Sequence, residues 1–305
     1  MKLIKPSFLI CAFLCAGSLT ESGTVLAASP TDTLYQQADS MYNHGEFDKA
    51  ALFYEYEGYR SENNIDRTRA LLKKTNCLKQ LNEIRSATQT LSRIRYEYLS
   101  DSLVYECRYE TALCEYLSGN FNNAESQLLQ LEFYVRDSML TRNALFLHAL
   151  VCNELTKWTE AESLIQKGIR QADLSGTEKA GYSELIHKLY YAEKLPRIRS
   201  QQKAQILSMF LPGLGHCYAG YPIEGTTSFL FNAATIGFIV YNVVTHYYIT
   251  TFAIATTFFQ MSYVGGMNRV EFLIDKHNYT VTRKFNDKVK LPVLELTAKT
   301  AGKER

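Results

Sequence analysis

A chain of 305 residues is long enough for one large or two ordinary domains, and its apolar side chains suffice to bury a core. Its 33 basic and 31 acidic residues leave a formal charge of +2, too little for the broad positive field that gathers nucleic acid, so nucleic acid is excluded as a partner. The polarity is uneven: a charged front half precedes an apolar region at 204–267, a distribution that predicts a soluble domain joined to a membrane domain.

Residues 1–28 have the layout of a secretory signal peptide. Lys2 and Lys5 form a basic start, Phe8 to Leu19 an apolar run too short to span a bilayer, and Val25-Leu26-Ala27 a small-residue cleavage site. Removal of this segment leaves Cys77, Cys107, Cys114, Cys152 and Cys217, an odd set without C-x-x-C spacing or a histidine cluster. They are expected to act as small buried hydrophobes, and neither a metal site nor a cofactor is expected.

Self-similarity is the strongest signal in the chain. Ala50, Ala87, Ala124 and Ala161 stand 37 residues apart, and Ala38, Thr75, Ala112 and Ala149 lie twelve positions before them. Phe47, Ile84, Phe121 and Trp158 lie three before, and Gly45, Asn82, Gly119 and Thr156 five before. A small residue on one helix lets a second approach closely, a polar or glycine turn reverses the chain, and the bulky residue and alanine of the second helix fill the contact. The spacing therefore predicts a stack of helical hairpins over residues 29–178. This order of small, Gly, aromatic and Ala positions resembles the tetratricopeptide repeat (TPR), although each unit is three residues longer than that family's 34 and lacks its closing proline. The resemblance implies four TPR-like repeats forming a solenoid. Residues 179–202 are expected to supply a capping helix and linker, interrupted by Pro196.

From Gly225 to Asn268 there is no Asp, Glu, Lys or Arg. That length suits two helices, near Thr226 to Thr245 and Tyr248 to Met267, crossing a bilayer core about 30 Å thick. Asn232, Thr235, Asn242, Thr250, Thr256 and Gln260 are expected between the helices, bonded to one another. Ahead of them, Pro212, Gly213, Gly215, Gly220 and Pro222 would leave unpaired backbone groups against lipid. Ala204 to Leu211 is therefore expected to form a short helix, followed by a glycine turn that doubles back onto the spans. The motif P-G-x-G-x-x-Y-x-G, with Gly213, Gly215, Tyr218 and Gly220 and with Gly225 beyond, resembles the small two-transmembrane-domain family of bacterial envelope proteins. In that family the region before the motif counts as a span, so both two and three spans over 203–270 stay open. Residues 271–305 read as a basic tail, with VTRKF and LPVLELT suggesting short strands or a mobile segment.

No G-x-S-x-G, H-E-x-x-H or P-loop motif occurs, and Gly213-Leu214-Gly215 lacks the βαβ surroundings of a dinucleotide site. The expected fold class is all-α: a TPR-like helical-hairpin solenoid followed by a short transmembrane helical domain. The expected function is non-enzymatic, with no catalytic, cofactor-binding or metal residues: a scaffold in the bacterial inner membrane, its repeats facing the periplasm and docking an unknown protein or peptide. Residues 203–270 would contact the bilayer, and Tyr42, Lys79, Tyr116 and Glu154 are the register-based candidates for lining the docking surface. The alternative is a transport or channel-type membrane subunit whose repeats serve assembly.

Overall fold

The computed structural model describes residues 30–135 and 138–302, so the expected signal peptide lies outside the described residues. Among these the chain is all-α, without a strand. It divides into two compact units, one made of the residues up to Lys194 together with those from Asn286 onward, the other of Leu195–Phe285.

The first unit contains α1 (Pro30–Asn43), α2 (Phe47–Arg60), α3 (Asn64–Gln80), α4 (Ile84–Leu91), α5 (Asp101–Leu117), α6 (Phe121–Tyr134), α7 (Ser138–Glu154), α8 (Trp158–Gln171) and α9 (Gly176–Tyr190). Each packs on the next in sequence, and α5 also packs on α7. Helices α2, α4, α6 and α8 start at residues 47, 84, 121 and 158, while α3, α5 and α7 start at 64, 101 and 138, so both series advance by 37 residues.

The turns show why. One residue in each adopts positive φ: Gly45 at 80°, Asn82 at 60°, Gly119 at 81° and Thr156 at 61°. The following amides of Glu46, Glu83, Asn120 and Lys157 donate back to the carbonyls of Met41, Leu78, Glu115 and Cys152 at 2.8–2.9 Å. This is the six-to-one bond of a Schellman cap, which satisfies a carbonyl that the helix end would otherwise leave unpaired. The amides of Ala50, Ala87, Ala124 and Ala161 then make the first bonds of the second helices. These alanines and Ala38, Thr75, Ala112 and Ala149 are all 0 % exposed, so small residues meet where the two helices touch. Phe47, Phe121 and Trp158 are half-buried beside them.

Adjacent hairpins are tied by charge as well as packing. Asp39 on α1 accepts from Lys73 on α3 at 2.6 and 2.9 Å and from the Tyr54 hydroxyl on α2. The shortened α4 gives way to a loop fastened by Asn64, whose Nδ2 donates to the carbonyls of Arg95 and Glu97 at 2.9 and 2.8 Å. At the far end, Ser175 and Glu178 form a reciprocal capping box that starts α9. The cap is shorter than expected: α9 ends at Tyr190, and residues 195–200 are non-helical on both sides of Pro196. Cys77, Cys107, Cys114 and Cys152 are buried and outside any disulfide, and Cys217 is exposed.

The second unit contains α10 (Gln201–Phe210), α11 (Leu214–Tyr218), α12 (Pro222–Val244), α13 (Tyr248–Ile254), a π turn (Ala255–Phe259) and the first part of α14 (Gln260–Gly302). The glycine motif sits between α10 and α12. Gly213 has φ 101°, and a side chain there would overlap the Gly225 carbonyl. A Cβ on Gly215 would overlap Ser208 Oγ and lie 2.5 Å from the Ala204 carbonyl; one on Gly225 would lie 2.7 Å from Gly213 O. Backbone therefore packs directly on backbone at these positions, which only hydrogen in place of a side chain permits. Tyr218 Oη accepts from the Ser200 amide at 3.2 Å, and Gly220 has φ 86° beside Arg199. The core beneath consists of Ala204, Ala219, Val270, Leu273 and Ile274.

One helix among the described residues, Pro222–Val244, is long and apolar enough to cross a membrane, and 11 % of its apolar window is buried in the protein. The second expected span is helical but broken by the π turn. Polar groups turn inward: Asn232, Thr235 and Asn242 are 2, 9 and 6 % exposed, while Phe229, Leu230, Phe238 and Val244 face outward. The expected bonding between helices is replaced by bonding within α12, where the three polar side chains donate to Ser228, Phe231 and Phe238 carbonyls at 2.8–2.9 Å. The side chains of Thr250 and Thr256 lie outside the described residues, and Gln260 is exposed.

The C-terminal expectation is corrected: residues 271–302 are neither strand nor extended tail but part of α14. Asn286, Val289, Val293, Leu296 and Thr300 are buried and recur at spacings of three and four, one face of a helix. Pro292 removes a ladder bond at a cost of about 3 kcal/mol. Burial of Val289, Val293 and Leu296, each 0 % exposed and contributing about 1.5–3 kcal/mol, outweighs it.

Two substitutions test these constraints in the full-length chain. Thr156→Gly should raise the unfolding midpoint, relieving about 1 kcal/mol of left-handed strain at an exposed turn. Gly213→Ala should lower stability by about 3 kcal/mol, because φ and the Gly225 carbonyl both oppose a side chain; an unchanged thermal midpoint would contradict the packing described.

Candidate functional site

The first unit presents one face where the C-terminal ends of α5 and α7 and the middle of α9 come together. The final part of α14 lies on it. Lys290 forms an ion pair with Glu154 at 2.8 Å, its side chain 23 % exposed and that of Glu154 18 % exposed. Lys290 Nζ also sits 5.7 Å from the centre of the Tyr116 ring. One turn earlier, Asn286 Nδ2 donates to Glu154 Oε2 at 2.9 Å and to the Asn153 carbonyl at 3.3 Å. Further along, Tyr182 Oη donates to Glu295 Oε1 and accepts from Lys299 Nζ, both at 2.7 Å.

Electrostatics explain why a lysine is held there. Burial alone would lower the Lys290 pKa, but the Tyr116 oxygen and the Glu154 carboxylate outweigh it and the net direction is upward. The ammonium thus keeps its charge across the neutral range. Burial pushes the Tyr116 hydroxyl up to about 12, so it serves as a neutral polar neighbour. A partly enclosed pair of this kind is worth more than an exposed one, since solvent screens it less.

The four register-based candidates are not equivalent. Tyr116 and Glu154 converge on Lys290. Tyr42 packs edge-on against Phe47 at 5.2 Å, and Tyr116 makes a similar contact with Phe121 at 5.7 Å, so both tyrosines also close their own hairpins. Lys79 is 3 % exposed and ion-paired with Glu110, which corrects its placement on an open surface. Repeat register puts Asn153, not Glu154, in line with Tyr42, Lys79 and Tyr116. Asn153 is buried, and its Oδ1 accepts from Tyr190 at 2.8 Å.

Sequence reasoning missed Asn286, Lys290, Glu295 and Lys299. Their signal was the buried stripe from Asn286 to Thr300, obscured by basic side chains and Pro292. In the second unit, a cavity of about 10 Å³, the size of one water, is lined by Ser208, His216 and Asn232 among others. Ser208 Oγ, His216 Nδ1 and Asn232 Oδ1 are buried there without hydrogen-bond partners. Compared with protein-family models, curated proteins and solved structures, the chain matches none.

Proposed function

We propose that the chain is a membrane-anchored scaffold of tetratricopeptide-repeat type in a bacterial envelope, docking protein partners through its first-helix face. The observation that carries the reading is the α14 segment itself. A face that accepts an amphipathic helix by an apolar stripe, a lysine on Glu154 and an aromatic edge has the chemistry for binding such helices in general. Stacked hairpins supply extended surfaces of that kind. Anchoring is supported by the exposed apolar face of α12 and the inward turn of its polar side chains. Because Asn232, Thr235 and Asn242 donate to their own helix, the anchor reading is favoured over a transport path. The periplasmic orientation follows from the export signal proposed at residues 1–28.

In this reading residues 286–302 act as an internal ligand that a partner helix must displace or join. Val293→Asp in the full-length, detergent-solubilised chain should free the face, since a charge replaces a fully buried side chain. A labelled peptide of residues 284–302 should then bind the variant at least about 10-fold more tightly than wild type, a difference of about 1.4 kcal/mol. No binding to a variant of unchanged helicity would refute the docking role. Release of the wild-type chain from membranes by carbonate alone would refute the anchor.

A further inference from the structure

Metal-ligating side chains gather at the junction of α6, α7 and α8. One ligand atom from each of Glu125, His148, Cys152 and Glu160 lies within 4.8 Å of all the others. His148 and Cys152 stand one turn apart on α7 and so share a face. Glu125 comes from α6 and Glu160 from the first turn of α8.

The histidine is the informative member. It is 2 % exposed, and its Nδ1 lies 3.4 Å from Glu132 Oε1 on α6. Its Nε2 is buried without a hydrogen-bond partner. An imidazole that gives its Nδ1 proton to a carboxylate holds a lone pair on Nε2, and leaving that buried and unmet costs about 1–3 kcal/mol. A carboxylate at one ring nitrogen and an unused lone pair on the other is the arrangement that orients a metal ligand.

We propose that Glu125, His148, Cys152 and Glu160 form a structural zinc site that ties α6, α7 and α8 together. The mixed oxygen, nitrogen and sulfur donors suit zinc; calcium and magnesium require oxygen throughout. Ligand atoms around tetrahedral zinc with one sulfur stand about 3.4–3.6 Å apart, from bond lengths of about 2.1 Å to N or O and 2.3 Å to S. The side chains therefore close inward by about 1 Å. Four protein donors leave no open position, which makes the site structural, not hydrolytic. On binding, the Cys152 thiol releases its proton to solvent and coordinates as thiolate. Zinc with one thiolate and two carboxylates carries a single net negative charge. Lys157, now 2.5 Å from Glu125 Oε1 with a half-exposed side chain, stays close enough to balance it.

Cobalt(II) serves as the probe. Chelator-treated full-length protein in detergent, titrated with Co²⁺, should saturate at one equivalent, with tetrahedral visible bands and a thiolate charge-transfer band in the near ultraviolet. Cys152→Ser should abolish the charge-transfer band, and His148→Gln should abolish saturable binding. Glu132→Gln should weaken affinity about 10- to 100-fold while leaving the band positions unchanged. Cys217→Ser should change nothing, which separates the site from the exposed thiol. Glu160 is exposed, so Glu160→Ala keeps the fold whatever happens to the buried variants, and it should lose at least about 10-fold in affinity. A missing saturable spectrum, its survival in both Cys152→Ser and His148→Gln, or unchanged affinity in Glu160→Ala would overturn the assignment.

Discussion

The first unit depends on one backbone constraint: the chain must reverse between paired helices within three residues. A left-handed residue followed by a six-to-one hydrogen bond achieves this at Gly45, Asn82, Gly119 and Thr156. Once the reversal is set, the second helix starts at a fixed distance from the first. The positions that meet between them must then be small, and the eight residues there, from Ala38 to Ala161, are fully buried. Regular helix placement follows, and with it a face on which Tyr116 and Glu154 can meet the same lysine. The constraint is strong enough to hold Thr156 in a conformation that a β-branched residue disfavours.

The second unit obeys the opposite distribution of polarity. Its α12 hides asparagine and threonine and shows phenylalanine, leucine and valine. In water this arrangement would expose apolar surface while burying amides that gain little from burial. In hydrocarbon both choices become favourable, and donation to the carbonyl four residues back gives each polar side chain a partner for its donor within its own helix. The glycine cluster serves the same unit differently. Gly213, Gly215 and Gly225 bring α10, α11 and α12 to backbone contact, so these glycines of the irregular stretch after Pro212 are buried against protein.

The repeat was legible in the sequence because its determinants are local: a turn residue, a bulky residue and an alanine at fixed offsets. The glycine turn was legible for the same reason. The end of α14 was not. Pro292 and the β-branched run around Val289 and Val293 suggest strand or loop by propensity, and burial of one face overrides that preference. The face was only half visible, since register leads to Tyr116 and to within one residue of Glu154, but Lys290 lies far along the chain. The gathering of Glu125, His148, Cys152 and Glu160 was hidden because its members come from three helices and no compact spacing marks them. Only the four-residue step from His148 to Cys152 leaves a trace.

The continuity of α14 has a consequence in time. A ribosome delivers Tyr116 and Glu154 long before Lys290, and at about 5–20 residues per second the interval after Glu154 is roughly 7–27 seconds. Throughout that interval the nascent chain carries Tyr116 and Glu154 without the helix that will cover them. The first unit is therefore completed only when its last helical segment, made after the whole of the second unit, has been delivered.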